Sequence, residues 1–446
     1  MPNNQPSVAG RQATDAERGL DYILNGDYIG SGIPRSLWDN IMRLRDAGPL
    51  AIERFGSSAG LPHDLNGFTS PEGVEVVAGA NCLACHAQMF DGELVIGLGN
   101  SLNDWTTSNA GILKAFESLG RFQFAQGSPE RIVFDRFLRG TKALEGHIQT
   151  PFRGVNPAFR LEEVAASWRN PADLEWMEAQ GFEPVETFVA SDTPPLWHVH
   201  KKQSLYYNGM GRGDFRRLVQ QIMVVGIDDA THAAAINENM DDVVAYLESL
   251  RPPPYPGEID PQLAELGMEV FETNCASCHG TYGASWRDDD PAWTYPNRLV
   301  PAEEVGTDPL YAEMLRQSEL WKWYNDSWFA AGQGEDASYA QPKLAYVAPP
   351  LDGVWITAPY LHNGSVPTLA ALLDSSRRPT YWSRSFRSDD YDLDQLGWQY
   401  RSQDAPDGAP KTYNTTVPGY GNGGHTYGDD LTEGQRAALL EYLKSL

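Results

Sequence analysis

All four cysteines of this chain belong to two Cys-x-x-Cys-His motifs, and these motifs carry its most specific chemistry. The first covers residues 82–86 and the second covers residues 275–279. In a helical turn, cysteines at positions i and i+3 lie on one face, so both thiols can add to the two vinyl groups of one haem. The histidine that follows can then bind the iron. This pattern is typical of c-type haem attachment.

The sequence therefore predicts two covalently bound haem c groups. The predicted attachment residues are Cys82, Cys85, His86, Cys275, Cys278 and His279. The alternative is a zinc ion bound by the two cysteine pairs. The pairs lie almost half the chain apart, much further than in common zinc sites, and a histidine directly after each pair would then be a coincidence.

Each haem iron also has a sixth coordination position, and its occupant decides the function. A strong ligand favours electron transfer, whereas an open position permits chemistry on O₂ or peroxide. With His86 and His279 assigned as proximal ligands, the histidines that remain for this role are His63, His147, His198, His200, His232, His362 and His425.

The charge and the composition exclude several functional classes. The 446 residues include 60 acidic and 34 basic side chains, which gives a net charge of −26. Such a surface repels nucleic acid, and it suits a basic redox partner or simply maintains solubility. The chain contains no run of about 18 apolar residues, so we predict no transmembrane segment. A small basic redox protein or a small organic molecule is the expected partner.

The start of the chain, Met1–Gln5, is polar and does not resemble an export signal. Covalent haem attachment normally takes place outside the cytoplasm. We therefore expect a periplasmic or secreted protein whose export signal is absent from this sequence.

The pattern of elements predicts a mainly α fold, with two tandem cytochrome-c-like domains, long irregular loops and few short strands. A helix cannot continue through the three prolines that follow Arg251, and we place the boundary between the two domains there. We expect an N-terminal extension at residues 1–60, a first cytochrome c domain at 61–253 and a second at 254–446. The Tyr-Leu-x-Ser-Leu sequence at 246–250 recurs at 442–446, and this repeat supports the tandem arrangement.

Two segments resemble a known superfamily. Thr357–Leu369 (TAPYLHNGSVPTL) is similar to the second-domain signature of bacterial di-haem cytochrome c peroxidases and their MauG relatives. Pro194–His198 (PPLWH), followed by Tyr206–Gly209 (YYNG), resembles the first-domain segment. The branch that looks most similar is the rubber-oxygenase-like one. Its features are found at residues 76–77, 81–86, 95–100 and 424–428.

The resemblance implies that the second haem is closed by a sixth ligand. The peroxidases use a methionine, but the corresponding position here is Ser376 and no methionine lies nearby. In the rubber-oxygenase-like branch a late histidine serves instead, and His425 matches it, within a glycine-rich segment that lets backbone approach a haem. The alternative is a histidine in a surface loop. The resemblance also implies that His362 supports the haem site through hydrogen bonds, with direct ligation as its alternative.

The same resemblance makes the first haem the reaction centre. Tyr207 takes the place of the Trp that bridges the two haems, and a core aromatic is the alternative. The peroxidases place an acid–base Glu in the loop that corresponds to residues 220–229, and no Glu is present here. An apolar pocket at Ile222 and Met223 would instead suit O₂ and an organic substrate. The predicted catalytic residues are Tyr207, Trp197, Ile222 and Met223.

A calcium ion between the domains is a further implication, with backbone carbonyls of Thr357 and Pro359 as its expected ligands. The Asn that completes that site in the family is replaced here by His198. His198 or His200 could also close the first haem. The leading hypothesis is therefore an oxidoreductase of dioxygenase or peroxidase type, and the alternative is an electron-transfer cytochrome with two six-coordinate haems.

Overall fold

The computed structural model describes residues 13–42, 50–79, 81–282, 293–332 and 337–446. The polar start at Met1–Gln5 therefore lies outside the described residues. The structure is mixed, with 38% helix and 14% strand, so it contains more strand than the sequence predicts. The tandem arrangement of two cytochrome-c-like domains stays a prediction.

The helices are 4–16 residues long. They are α1 (Asp15–Asn25), α2 (Arg35–Met42), α3 (Cys82–His86), α4 (Ala110–Gln123), α5 (Pro129–Leu144), α6 (Ala158–Ser167), α7 (Phe215–Val219), α8 (Ala230–Asn237), α9 (Met240–Ser249), α10 (Pro261–Asn274), α11 (Ala276–His279), α12 (Ala302–Val305), α13 (Leu310–Gln317), α14 (Leu320–Asn325), α15 (Leu369–Leu372) and α16 (Glu433–Leu443).

The strands are short and pair antiparallel. They are β1 (Ile33–Pro34), β2 (Leu65–Thr69), β3 (Glu75–Gly79), β4 (Ala87–Phe90), β5 (Glu93–Ile96), β6 (Ser204–Leu205), β7 (Gly211–Gly213), β8 (Leu299–Pro301), β9 (Ser338–Ala340), β10 (Ala345–Val347), β11 (Tyr381–Ser383), β12 (Tyr391–Asp392), β13 (Gly397–Trp398), β14 (Arg401–Gln403) and β15 (Thr412–Asn414). They form small sheets in the orders β1-β3-β2, β4-β5, β6-β7-β9, β10-β8, β12-β13 and β14-β11-β15.

Two helix pairs, α1 with α9 and α10 with α16, cross in the same way. In each pair a glycine lets the backbones meet, because a Cβ on Gly19 would lie 1.9 Å from the carbonyl oxygen of Asp242. A Cβ on Gly267 would lie 1.9 Å from that of Ala438. The contacted residue stands four positions before the tyrosine of the repeated Tyr-Leu sequence in both cases. The crossings therefore use the same register in both halves of the chain.

Helix α1 belongs to the segment that the sequence assigns to an N-terminal extension, yet it packs on the helix that ends the predicted first domain. A side-chain capping box formed by Thr14 and Glu17 starts α1. Arg18 then forms an ion pair with Asp242 of α9, at 2.7 Å. The segment before residue 61 thus contributes a helix to the body of the protein.

The buried side chains form two large clusters that cross the predicted boundary at residues 253 and 254. One cluster joins Ile23 and Met223 to Tyr311 and Trp323, from the second half. The other joins Leu98 and Trp197 to Phe271, Tyr360 and Leu439. Sheet β6-β7-β9 crosses the same boundary. The two halves are consequently packed on each other through apolar side chains and backbone hydrogen bonds.

In the described part of the chain, no helix combines the length and the apolar character that crossing a bilayer requires.

Candidate haem centres

The first Cys-x-x-Cys-His motif is the helical turn α3. Asn81 precedes it and caps it, since its side chain accepts a hydrogen bond from the backbone N–H of Leu83 at 2.9 Å. The backbone N–H of Cys82 donates to the hydroxyl of Tyr28 at 3.2 Å. The second motif follows α10 directly and forms α11. None of the four cysteines forms a disulfide, and all four are partly buried.

The two motif histidines are oriented by the same kind of hydrogen bond. His86 donates from Nδ1 to the carbonyl oxygen of Pro194 at 3.1 Å. His279 donates from Nδ1 to the carbonyl oxygen of Pro349 at 2.8 Å. A metal-binding histidine commonly donates its other ring N–H to such a carbonyl, which fixes the tautomer. Nε2 is therefore the nitrogen left for an iron in both sites.

Burial keeps these histidines neutral at pH 7. It lowers the pKa of His86 to about 4, and the nearby ammonium of Lys202 acts in the same direction. It also lowers the pKa of His279. Burial lowers the pKa of His425 to about 4, with His279 as the next cause. A neutral imidazole is the form that binds a metal ion.

His425, the predicted sixth ligand of the second haem, faces His279. Their ring centres are 6.3 Å apart. Two imidazoles that share one metal ion have centres about 6 Å apart, if each metal–nitrogen bond is about 2.0–2.1 Å and each ring centre lies about 1 Å behind its nitrogen. The distance between the ring centres thus matches that of two imidazoles that share one metal ion.

The backbone around His425 is held tightly. Arg378 donates to the carbonyl oxygens of Asn422, Gly424 and His425 at 2.6–2.9 Å. The N–H of His425 donates to the carbonyl oxygen of Val305 at 2.7 Å. Gly424 has φ +71°, and a Cβ there would lie 2.1 Å from the backbone nitrogen of Thr307. Gly424 therefore packs against the backbone of Gly306 and Thr307, whereas the neighbouring Gly423 is exposed.

The histidines predicted as alternatives near the first haem are engaged with backbone carbonyls. Nε2 of His198 donates to the carbonyl oxygen of Asp352 at 2.9 Å. Nδ1 of His200 donates to the carbonyl oxygen of Trp197 at 2.7 Å. Lys202 lies close enough to His86 and His198 to lower the pKa of each, after the larger effect of burial. His198 is therefore in the neighbourhood of His86, but its Nε2 already donates to a carbonyl oxygen.

Tyr207 lies between the two segments that orient the motif histidines. Its hydroxyl donates to Asp192, two residues before Pro194, at 3.3 Å. Its carbonyl oxygen accepts from the N–H of Val347, two residues before Pro349, at 2.7 Å. Its ring lies 6.3 Å from that of Tyr311 and 6.4 Å from that of His362. The position predicted for a bridging aromatic is thus between both sites.

His362 is buried within this aromatic group. Its ring stacks on Tyr346 with centres 4.4 Å apart, and its Nε2 lies 3.3 Å from the Tyr346 hydroxyl. Burial lowers the pKa of His362 to about 3. These contacts agree with a supporting role through hydrogen bonds.

The remaining predicted catalytic residues lie in the first half, where Trp197 and Met223 are buried and Ile222 is half-buried. Trp197 is fully buried and donates from its indole N–H to the carbonyl oxygen of Asp352 at 2.8 Å. Ile222 and Met223 belong to a 3₁₀ helix, Gln220–Val225, in which Met223 is fully buried. The guanidinium of Arg169 holds the end of this helix by donating to the carbonyl oxygens of Val224, Ile227 and Asp228.

The surroundings of the predicted calcium ligands are basic. Pro359 lines a cleft together with Arg153, Arg384 and Lys411. Thr357 precedes it and donates from its hydroxyl to the carbonyl oxygen of Val354 at 3.3 Å. Nearby cationic side chains oppose a calcium ion. The calcium site nevertheless stays a prediction, because its expected ligands are backbone carbonyls.

Some residues of these sites were not identified from the sequence. Pro194 and Pro349 each open a Pro-Pro-Leu sequence, and this repetition is a signal that could have paired them with the two motifs. Arg378 follows another arginine in a polar connection, with no signal to distinguish it. A contact between Glu162 and Tyr206, 44 positions apart, has no local signature either.

Comparisons with known proteins agree with the haem chemistry of the second half. Residues 345–383 match the family described as RoxA-like, cytochrome c-like. The chain therefore carries a cytochrome-c-like domain of this kind, which implies haem c and a cytochrome function. The matched segment contains Pro349 and His362.

Two proteins of Sinorhizobium fredii are similar to larger parts of the chain. The uncharacterized protein y4iJ is 32% identical over 44% of this chain and 41% of its own length. The uncharacterized protein y4iM is 29% identical over 47% of this chain and 49% of its own length. The matched regions thus span less than half the length of either relative.

Proposed function

We propose that the chain is a di-haem c-type cytochrome oxidoreductase of the peroxidase and rubber-oxygenase superfamily. The haem held by His86 would activate O₂ or peroxide, and the haem held by His279 and His425 would transfer electrons. Haem iron supplies this chemistry according to what occupies its sixth position. The protein residues determine that occupancy, orient the proximal imidazoles and keep them neutral.

The observation that carries the proposal is the difference between the two motif histidines. His279 has a second histidine opposite it, at a ring distance that suits one shared metal ion. The two histidines that could take this place at the first haem, His198 and His200, donate to carbonyl oxygens instead. This difference favours a six-coordinate iron in the second site and an iron with an open sixth position in the first site.

Tyr207 supports cooperation between the sites. Its hydrogen bonds to Asp192 and Val347 connect the two segments that orient His86 and His279. Burial raises the pKa of Tyr207 well above its ordinary value, so the phenol keeps its proton at pH 7. A buried aromatic in this place can relay an electron or a hole between two redox groups.

Spectroscopy of the purified holoprotein tests the proposal. We expect one high-spin or ligand-exchangeable haem beside one low-spin haem, and cyanide should change only the first. Oxidation of an organic substrate or turnover of peroxide should be lost together with the cyanide-sensitive species. Two low-spin haems that respond to neither cyanide nor peroxide would contradict an enzymatic function.

One observation favours the alternative of an electron carrier with two six-coordinate haems. Nδ1 of His198 is buried, and it has no hydrogen-bond partner in the described residues. A histidine nitrogen in this state near His86 could become a sixth ligand. Replacement of His198 by Ala should leave the spectrum unchanged under the main proposal, whereas it should create a high-spin haem under the alternative.

Other parts of the proposal rest on the sequence alone. These are the periplasmic or secreted location, the small basic redox partner or small organic substrate, and the calcium ion near Thr357 and Pro359.

A further inference from the structure

Glu162 is a carboxyl group that the sequence did not connect with the first haem. It projects from α6, and the hydroxyl of Tyr206 donates to its Oε2. The same hydroxyl accepts a hydrogen bond from Nε2 of Gln221 at 3.3 Å. Gln221 directly precedes Ile222, the predicted pocket residue. A Glu is thus present beside the loop from which the family's acid–base Glu is missing, but it comes from a different helix.

The helix that carries Glu162 begins beside the first attachment site. The side chain of Asn156 accepts from the N–H of Ala158 at 2.8 Å, at the start of α6. The same side chain lies at the Cys85 thiol, whose pKa it lowers against the larger effect of burial. Its amide donates to the hydroxyl of Thr193, the neighbour of Pro194, at 3.1 Å. Glu162 follows about one helical turn after Ala158.

A narrow cleft reaches Tyr206 of this pair. Tyr206 and Gln221 line it together with mostly apolar side chains, among them Met210, Leu218 and Leu320. An apolar lining keeps charged solutes away from the phenol. A small neutral acid can enter such a cleft more easily than its anion can.

Burial raises the pKa of Glu162 to about 7, against the opposing effect of its hydrogen bond to Tyr206. The titratable groups that face it are the phenols of Tyr206, Tyr311 and Tyr324. Burial raises the pKa of each phenol above its ordinary value, so none of them ionises near pH 7. Glu162 is therefore the group of this set that changes its charge near neutral pH, which suits general acid–base catalysis.

We infer that Glu162 and Tyr206 form a proton relay for small neutral acids, such as hydrogen peroxide or hydrogen cyanide, that bind at the first haem. The acid gives its proton to the oxygen of Tyr206 while the phenol passes its own proton to the carboxylate of Glu162. The products are the anion of the acid and a neutral Glu162, so charge and protons balance. The reverse transfer returns the proton to a leaving oxygen. This inference rests on the proposed function, because it requires a first haem that accepts ligands.

Cyanide binding to the ferric holoprotein, followed by stopped-flow absorbance across pH 5–9, tests the relay. In the wild type, the association rate should rise with pH through an inflection near pH 7, as Glu162 loses its proton. Glu162→Gln should remove this inflection and slow association at pH 8 by about tenfold or more. Tyr206→Phe should have the same effect, and it provides a second variant if Glu162→Gln fails to fold.

Glu163→Gln is the matched control. Glu163 is fully buried, but it forms an ion pair with Arg160 at 3.0 Å and accepts a hydrogen bond from Ser318 at 2.5 Å. Its replacement should lower stability and keep the inflection. An inflection that persists in Glu162→Gln or in Tyr206→Phe would overturn the relay alone. A wild-type protein in which neither haem binds cyanide would overturn the proposed function and the relay with it.

Discussion

The assignment of the second haem site depends on one residue, His425. Its ring faces His279, and Arg378 fixes its backbone. His425→Ala should therefore convert the second haem from low spin to high spin, while the first haem keeps its spectrum. Electron paramagnetic resonance of the ferric protein measures this as the loss of a single low-spin signal. Unchanged spectra in both haems would contradict ligation by His425.

A pair of neighbouring glycines allows a second test of the same ligand in variants that retain His425. A Cβ on Gly424 would meet the backbone of Thr307 at 2.1 Å, whereas a Cβ on Gly423 would meet nothing within 4 Å. Gly424→Ala should displace His425 and weaken the low-spin signal. Gly423→Ala should leave it intact, although both variants add the same methyl group. Equal effects in the two variants would argue against a fixed segment.

At the residue scale, the predicted haem chemistry depends on local motifs, and beyond the cytochrome-c-like segment at residues 345–383 it stays a prediction. The six attachment residues follow from two local motifs, since a haem needs its thiols and histidine within one helical turn. The resemblance, and not the spacing, paired His425 with His279, and nothing in the sequence paired Glu162 with Tyr206. Such pairs depend on how loops fold back, and spacing carries little information about that.

The duplicated helix crossings are the feature of the fold with the clearest energetic consequence. Gly267 allows α10 to contact the backbone of α16, and an added methyl group would force the helices apart. Gly267→Ala should lower the free energy of unfolding by about 2–3 kcal/mol, as expected for overpacking. Chemical denaturation monitored by far-ultraviolet circular dichroism measures the change.

Gly111→Ala is the control for this substitution within another helix. Gly111 lies in α4, is exposed, and an added Cβ would meet nothing within 4 Å. Because Ala has the higher helix propensity, this variant should be more stable by roughly 0.5–1 kcal/mol. If Gly267→Ala were neutral or stabilising as well, the close approach of α10 and α16 would be refuted.

The helices at this scale were largely accessible to sequence analysis, and the strands were not. Helices α9, α10 and α16 have apolar periodicity and recognisable ends, for example the capping box formed by Thr432 and Gln435. The strands have 2–5 residues each, too few for an alternating pattern to be distinguished from loop sequence. They were consequently underestimated, and the fold was expected to be mainly helical.

For the whole molecule, the boundary predicted after the three prolines separates the chain but not its core. Buried residues from both halves join in each large cluster, and α1 packs on α9 although the sequence placed it in an extension. A proline run marks where a helix must end, but it does not determine which surfaces pack afterwards. Close packing of the halves places Tyr207 near both segments that orient the motif histidines, as the proposed communication between two haems would require.

The net charge of −26 predicts that electrostatic attraction accelerates association with a basic redox partner. A strongly acidic surface attracts a basic protein over a distance of about 10 Å at 0.1 M ionic strength, and salt screens the attraction. The second-order rate of electron exchange with a basic mono-haem cytochrome should therefore fall about tenfold or more between 10 and 300 mM NaCl. Stopped-flow absorbance measures the rate. An acidic electron-transfer protein is the control, and its rate should rise with salt as repulsion is screened. If both rates were independent of salt, the acidic surface would have no part in partner binding and would serve solubility alone.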